Sequence, residues 1–368
     1  ITGGTKMNKK DRIMDLMRRG IISEDEALEL LDKSNPMAEE GQAENKEKFN
    51  YTDTEGFVNH DVDFVDSFKG IMDQLVSKGK VVFKDASKAI DDNIDFSKGF
   101  PKVKSTTKTV EKDINEEFNS INLDIKAGKI AVYPGENAHV KAEYRIYGAV
   151  DQEKIEEYLS EKTKLEVTDG ILEISTSDSL RTSVNLELYL PEKVYETFDF
   201  KFAHGDIKVE KISVDNLKID QVNGEVELTE TKNKDIDVSI KNGEIKILDG
   251  LTSGLKLTSV NGNIRVTSAF EDGEVNLVNG NILLTQTQDT ARKLMVKNVN
   301  GDVKLSVPEY LGLVGHVRTV FGGYKTRLNL DNPFEASRNG AAVVRTGPDT
   351  LTFELETKSG TIWLKDVD

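Results

Sequence analysis

A short motif recurs between His204 and Leu364 with a period close to twenty residues: a polar residue, a glycine, one connecting residue, then two residues, aliphatic in nearly every copy, that flank a third. It reads His204-Gly205-Asp206-Ile207-Lys208-Val209 at its first occurrence and Asn261-Gly262-Asn263-Ile264-Arg265-Val266 in mid-series. Further copies start at Asn223-Gly224, Asn242-Gly243, Asn279-Gly280, Asn300-Gly301 and Ser359-Gly360. Successive glycines from Gly205 to Gly301 lie 19, 19, 19, 18 and 21 residues apart, and three more steps of 21, 18 and 20 through Gly322 and Gly340 would reach Gly360. One turn signal and two alternating stretches per period of about 20 residues are the mark of a β-solenoid, whose coils bury their apolar face only by stacking on their neighbours.

Within each coil, alternation after the glycine turns Ile207 and Val209, or Ile264 and Val266, to one side of the strand and Lys208 or Arg265 to the other. A second strand before each asparagine repeats the pattern with Leu217 and Ile219, Ile236 and Val238, Leu255 and Leu257, and Leu294 and Val296. The repeat corners are Asn223, Gly224, Asn242, Gly243, Asn261, Gly262, Asn279, Gly280, Asn300 and Gly301. Asn and Gly both tolerate positive φ at a tight corner. With coils about 4.7–4.9 Å apart, the asparagines could hydrogen-bond in a ladder along one edge. The same dipeptide also suits type I′ hairpins in an antiparallel meander; the fixed period favours the solenoid. The expected fold is mainly β, a single-stranded parallel β-solenoid (β-helix) with coils of about 18–21 residues and a small N-terminal α-helical module.

Four regions are expected. Residues 7–34 read as a helical hairpin module, with Ile13, Leu16 and Met17 on one helix, a break at Gly20, and a second helix opened by the capping-box spacing of Ser23 and Glu26. Residues 35–60 turn acidic and poor in aliphatics, as a flexible linker does. Residues 61–113 carry an amphipathic helix and a connecting segment; the helix's stripe of Phe64, Phe68, Ile71, Met72 and Leu75 is the candidate interface, either a cap on the solenoid or a homo-oligomer contact. Its polar side bears Asp63, Asp66 and Asp73, which favours packing on protein over an anionic membrane surface. Residues 114–368 form the β-solenoid domain, with residues 114–200 as its first, irregular coils and a short helix inserted over 151–160.

The strand Leu186-Glu-Leu-Tyr-Leu-Pro191, then Phe198-Asp-Phe200 and the Gly-x-Ile-x-Val series, resembles the bacterial "putative adhesin" β-strand-repeat family. Lys10-Asp-Arg-Ile13, Gly20, Ser23 and Glu26-Ala-Leu-Glu-Leu-Leu31 resemble the helical module that precedes this domain in YvlB/LiaX-type proteins of Gram-positive bacteria. The resemblance spans most of Met7–Leu364. It implies a non-enzymatic protein of the cell-envelope stress response, connected with antimicrobial-peptide sensing and LiaFSR-like signalling, whose partner would be a protein of that pathway or an antimicrobial peptide.

Composition narrows the alternatives. A net charge of −16 argues against nucleic acid as a partner. With no cysteine there are no disulfides or thiolate metal sites. No window approaches the roughly 20 apolar residues of a membrane span and no signal peptide is evident, so the expected address is cytoplasmic, with membrane association or a surface pool left open. His60, His139, His204 and His316 lack metal-ligand spacing, and no phosphate-binding or nucleophile motif occurs. Neither a catalytic residue nor a cofactor is therefore expected. Asp206, Glu225, Glu244 and Asp302 follow the repeat glycines as a potential acidic row. The competing functional class is a carbohydrate-binding or polysaccharide-active β-helix, which as an enzyme would need clustered carboxylates and basic residues in a groove, often with aromatic platforms; the single Trp363 falls in the last copy.

Overall fold

The computed structural model describes residues 105–148, 154–177, 181–337 and 340–367. All of them belong to the unit Asp61–Asp368. The expected modules at 7–34 and 35–60, and the candidate interface at Phe64, Phe68, Ile71, Met72 and Leu75, lie outside the described residues.

The described chain is a β-solenoid. From Val194 to Asn300 each strand pairs in parallel with the strand one period later: Ser213–Asn223 with Lys232–Asn242, Lys232–Asn242 with Ile245–Asn261, and Ile245–Asn261 with Ile264–Asn279. This pairing excludes the hairpin meander. Ile207, Val209, Val226, Leu228, Ile245, Ile247, Ile264, Val266, Ile282 and Leu284 are all buried. Opposite them stand Leu217, Ile219, Ile236, Val238, Leu255 and Leu257. Each such side chain contributes about 1.5–3 kcal/mol on leaving water.

The irregularities of the period have local causes. Lys211, Glu230 and Asp249 occupy the left-handed region at φ 55°, 52° and 54°, forming a second corner column. In the next coil this residue is missing: Leu248 and Leu251 pair with Thr267 and Ala269, so one residue replaces two and the period shortens to 18. The 21-residue coil instead leaves the ladder after Gln286, whose buried amide bonds both the N–H and the carbonyl of Phe270 at 3.1 Å.

The coils do not stack in sequence order at the two ends. Lys293–Asn300 pairs with Thr350–Ser359, which in turn pairs with Gly312–Phe321. The coil containing Gly360 therefore lies between those of Gly301 and Gly322, contrary to the expected consecutive steps. Gly340 is not a corner of the column; it opens the strand Ala341–Arg345, which runs antiparallel to Gly312–Phe321 and carries the chain back inward. Buried Arg345 secures this return, donating to the carbonyls of Leu311 (2.8 Å) and Pro308 (2.7 Å) and pairing with Asp366.

The N-terminal end is built the same way. Ser120–Pro134 lies between Val194–Glu210 on one side and Ile171–Thr176 with Thr182–Leu190 on the other. Residues 114–200 are thus not a simple succession of first coils. Antiparallel strands finish this end, His139–Tyr147 on Thr182–Leu190 and Thr163–Thr168 on Ile171–Thr176. Ser105–Asp113, expected in the connecting segment, pairs with His139–Tyr147 and belongs to the β-body. The inserted helix is Ile155–Lys162, anchored by buried Ile155 and Leu159. At both ends an inner coil is clamped on two sides, and strands of opposite sense cover the outer edge of Thr182–Leu190 and of Gly312–Phe321, which limits pairing with other chains there.

Candidate functional site

The repeat corners form one column. Asn242 Nδ2 donates to Asn223 Oδ1 at 2.8 Å, Asn261 to Asn242 at 2.7 Å, Asn279 to Asn261 at 2.9 Å and Asn300 to Asn279 at 2.9 Å. His204 takes the first place, its Nδ1 2.9 Å from Asn223 Nδ2. These asparagines keep negative φ, contrary to the expectation that Asn shares the corner strain; only the glycines take positive φ, between 126° and 147° from Gly205 to Gly301. A Cβ on Gly262 would stand 1.7 Å from the carbonyl oxygen of Gly243, and the same close approach recurs from Gly128 to Gly322.

The acidic row is spent on the coil itself. Asp206 Oδ1 accepts from Glu225 N at 3.2 Å and Asp302 Oδ1 from Thr361 N at 2.9 Å, while Lys246 bridges Glu225 (2.8 Å) and Glu244 (3.2 Å). Among the described residues no group of three or more potential ligands could hold a metal ion. His139 lies 2.7 Å from Asp113 and His316 sits exposed on the terminal coil.

The face that follows the corner changes character along the stack. Its first outward column runs Lys208, Glu227, Lys246, Arg265, Leu283, Lys304, Trp363, Lys325 in register. At the N-terminal end lysine and glutamate alternate. Lys208 pairs with Glu210 (3.2 Å) and Glu227 (3.7 Å). Hydrogen bonds to Glu210 and Glu225 hold the Lys208 and Lys246 ammonium groups above the usual lysine range. Beyond Arg265 the carboxylates stop. The parallel column begins at Glu210 and ends Ser306, Lys365, Arg327.

The last three coils therefore present Lys304, Lys325, Lys365 and Arg327 around Trp363, lining a groove of about 720 Å³. Lys325 Nζ lies 4.1 Å and Lys304 Nζ 5.4 Å from the indole centroid. The strand of Trp363 lies between those of the two lysines. Trp363 Nε1 is shielded from solvent without a hydrogen-bond partner in the protein. Lys304, Lys325 and Arg327 have no carboxylate partner among the described residues. Sequence reasoning missed this cluster because it placed the coil of Gly322 before that of Gly360. The available signal was the run of cations at the third and fifth positions after Gly301, Gly360 and Gly322, broken only by Trp363 and Ser306.

A parallel solenoid with a glycine spine and a polarised outer face defines a repeat protein that presents surface. The model of the Toastrack DUF4097 family matches residues 118–365, and the chain belongs to that family. It is 39% identical over 208 residues to the uncharacterized protein YvlB of Bacillus subtilis, covering 56% of this chain and 57% of that one; it thus matches little more than half the length of this relative. Among solved structures it is similar to a "putative adhesin" from Bacteroides fragilis, at 16% identity and a TM-score of 0.41 over 71% of this chain and 97% of that one. It is also similar to a "putative lipid binding protein" from Parabacteroides distasonis, at 14% identity and a TM-score of 0.35 over 71% and 97%.

Proposed function

We propose that this Toastrack protein is a non-catalytic binding scaffold of the bacterial cell-envelope stress response, engaging a protein partner of that pathway or an antimicrobial peptide. The observation that carries the scaffold reading is the outer face itself, built on a parallel strand ladder and changing along one register from the paired Lys208 to Lys304 and Lys325, which have no carboxylate partner among the described residues. Rigid elements hold a binding surface more accurately than loops do. The envelope-stress assignment is supported by the resemblance of the N-terminal residues to the YvlB/LiaX-type module and by the 39% identity to YvlB. A polysaccharide-cleaving β-helix would need carboxylates together with basic residues in its groove, whereas this groove is lined by basic residues and by no Asp or Glu.

Deleting residues 7–34 should leave the thermal melt of the β-body unchanged and shift the output of an envelope-stress reporter in the native bacterium. An unchanged reporter would count against the pathway, and turnover of an acidic polysaccharide by the purified chain would overturn the non-catalytic reading.

A further inference from the structure

We infer that the groove around Trp363 is a binding site for a linear polyanion, a flexible strand carrying repeated phosphate or carboxylate groups. The inference deepens the scaffold reading and rests on it, but not on the envelope-stress assignment.

Electrostatics favours an anion in this groove. On the N-terminal half of this same face the central lysines are paired with carboxylates. Lys304, Lys325 and Arg327 have no such partner among the described residues, and they converge on one groove. Three like charges held together repel one another, a cost that an anionic ligand reverses. Arg327 adds a planar fork suited to phosphate or carboxylate, and the lysines act as point charges.

The form of the groove favours a chain. Cations from successive coils fall in two columns along the stack, at a spacing of about 4.7–4.9 Å per coil. An anion repeating along a strand can meet several of them together, whereas a single small anion meets one or two. The groove is concave and bordered by Leu283 at its inner end, a shape for a chain rather than for a flat bilayer.

The surroundings of Trp363 distinguish classes of polyanion. Single-stranded nucleic acid is held by bases stacking on exposed aromatic rings. Here Lys304 and Lys325 both lie over the indole, where they compete with a base or a sugar ring for the aromatic surface. Trp363 instead orders the two lysine stems between which it lies.

Trp363 is the only tryptophan of the chain, so intrinsic fluorescence reports on this site alone. Titration of the full chain with inorganic polyphosphate and, separately, with polygalacturonate should perturb that fluorescence saturably with at least one of them, and the affinity should fall steeply with added salt. The two arms separate phosphate from carboxylate recognition. Lys304→Glu/Lys325→Glu should weaken binding at least about tenfold, through lost contacts and added repulsion. The control Lys208→Glu/Lys246→Glu makes the same change of net charge on the same face and should weaken it less than about threefold. Circular-dichroism melts establish that both variants are folded, and calorimetry measures their affinities. The inference is overturned if neither polymer binds, if both double variants lose affinity equally, or if the only ligands are single-stranded RNA or vesicles containing anionic phospholipid. Loss of polyanion binding without a change in a stress reporter would detach the site from the pathway and leave the site standing.

Discussion

Gly262→Val should unfold the β-body or destabilise it by more than about 4 kcal/mol, a cost reserved for strained backbone and overpacked cores. The new Cβ would have to occupy a point 1.7 Å from the carbonyl oxygen of Gly243, on a residue held at φ +130°. Neither problem has a local remedy, because the atom in the way is backbone and belongs to a ladder that continues through Gly224 and Gly280. Asn261→Ala, one residue earlier, removes only the side-chain bonds to Asn242 and from Asn279. Those bonds are exposed, and their loss should cost about 1 kcal/mol. Urea melts of the two variants measure the contrast, and equal small shifts would contradict the glycine spine.

A second pair of neighbours should behave in opposite ways. Ile264 is fully buried between Ile245 and Ile282, its partners on the adjoining coils. Ile264→Asp places a carboxylate there with no cation within the apolar interior, and should cost about 4 kcal/mol or more. Arg265 points outward from the same strand and is exposed, so Arg265→Asp should stay within about 0.5 kcal/mol of the parent. Comparable melting temperatures for the two variants would refute the period-two division between core and surface.

These two tests fall where residue order and physical constraint coincide. Each Asn-Gly marks a corner because the neighbouring coil leaves no room for a Cβ, and each Ile-x-Val alternates because one side of the strand is buried. Such constraints act within one coil and leave a mark in every copy. Stacking order is different. The step from Gly301 to Gly322 is 21 residues, the same as from Gly280 to Gly301, so spacing alone does not reveal that the coil of Gly360 is inserted between them. What decides it is long-range: the antiparallel return of Ala341–Arg345 and the anchoring of Arg345 by Asp366, Leu311 and Pro308.

The candidate site was illegible for the same reason. Lys304, Lys325 and Trp363 become neighbours only through that insertion, and in sequence Trp363 looks like an isolated aromatic of the final copy. The corner asparagines, in contrast, were legible as a column, although the reason for Asn turned out to be its amide ladder and not positive φ.

Because the cationic groove exists only if Trp363 is stacked between Lys304 and Lys325, the order of the last three coils is the claim on which the account rests. The chain contains no cysteine, which makes disulfide trapping a direct measurement. Asn300 and Ser359 are in-register neighbours on adjacent coils, so their Cα atoms lie within the roughly 4.4–6.8 Å that a disulfide spans. Asn300 and Phe321 are separated by the intervening Ser359, at about twice the coil spacing and beyond that reach. Under mild oxidation Asn300→Cys/Ser359→Cys should form an intramolecular disulfide in the folded protein, and Asn300→Cys/Phe321→Cys should not. The reverse outcome, a bond from 300 to 321 and none from 300 to 359, would restore sequence-order stacking and separate the lysines from the indole they are held to cover.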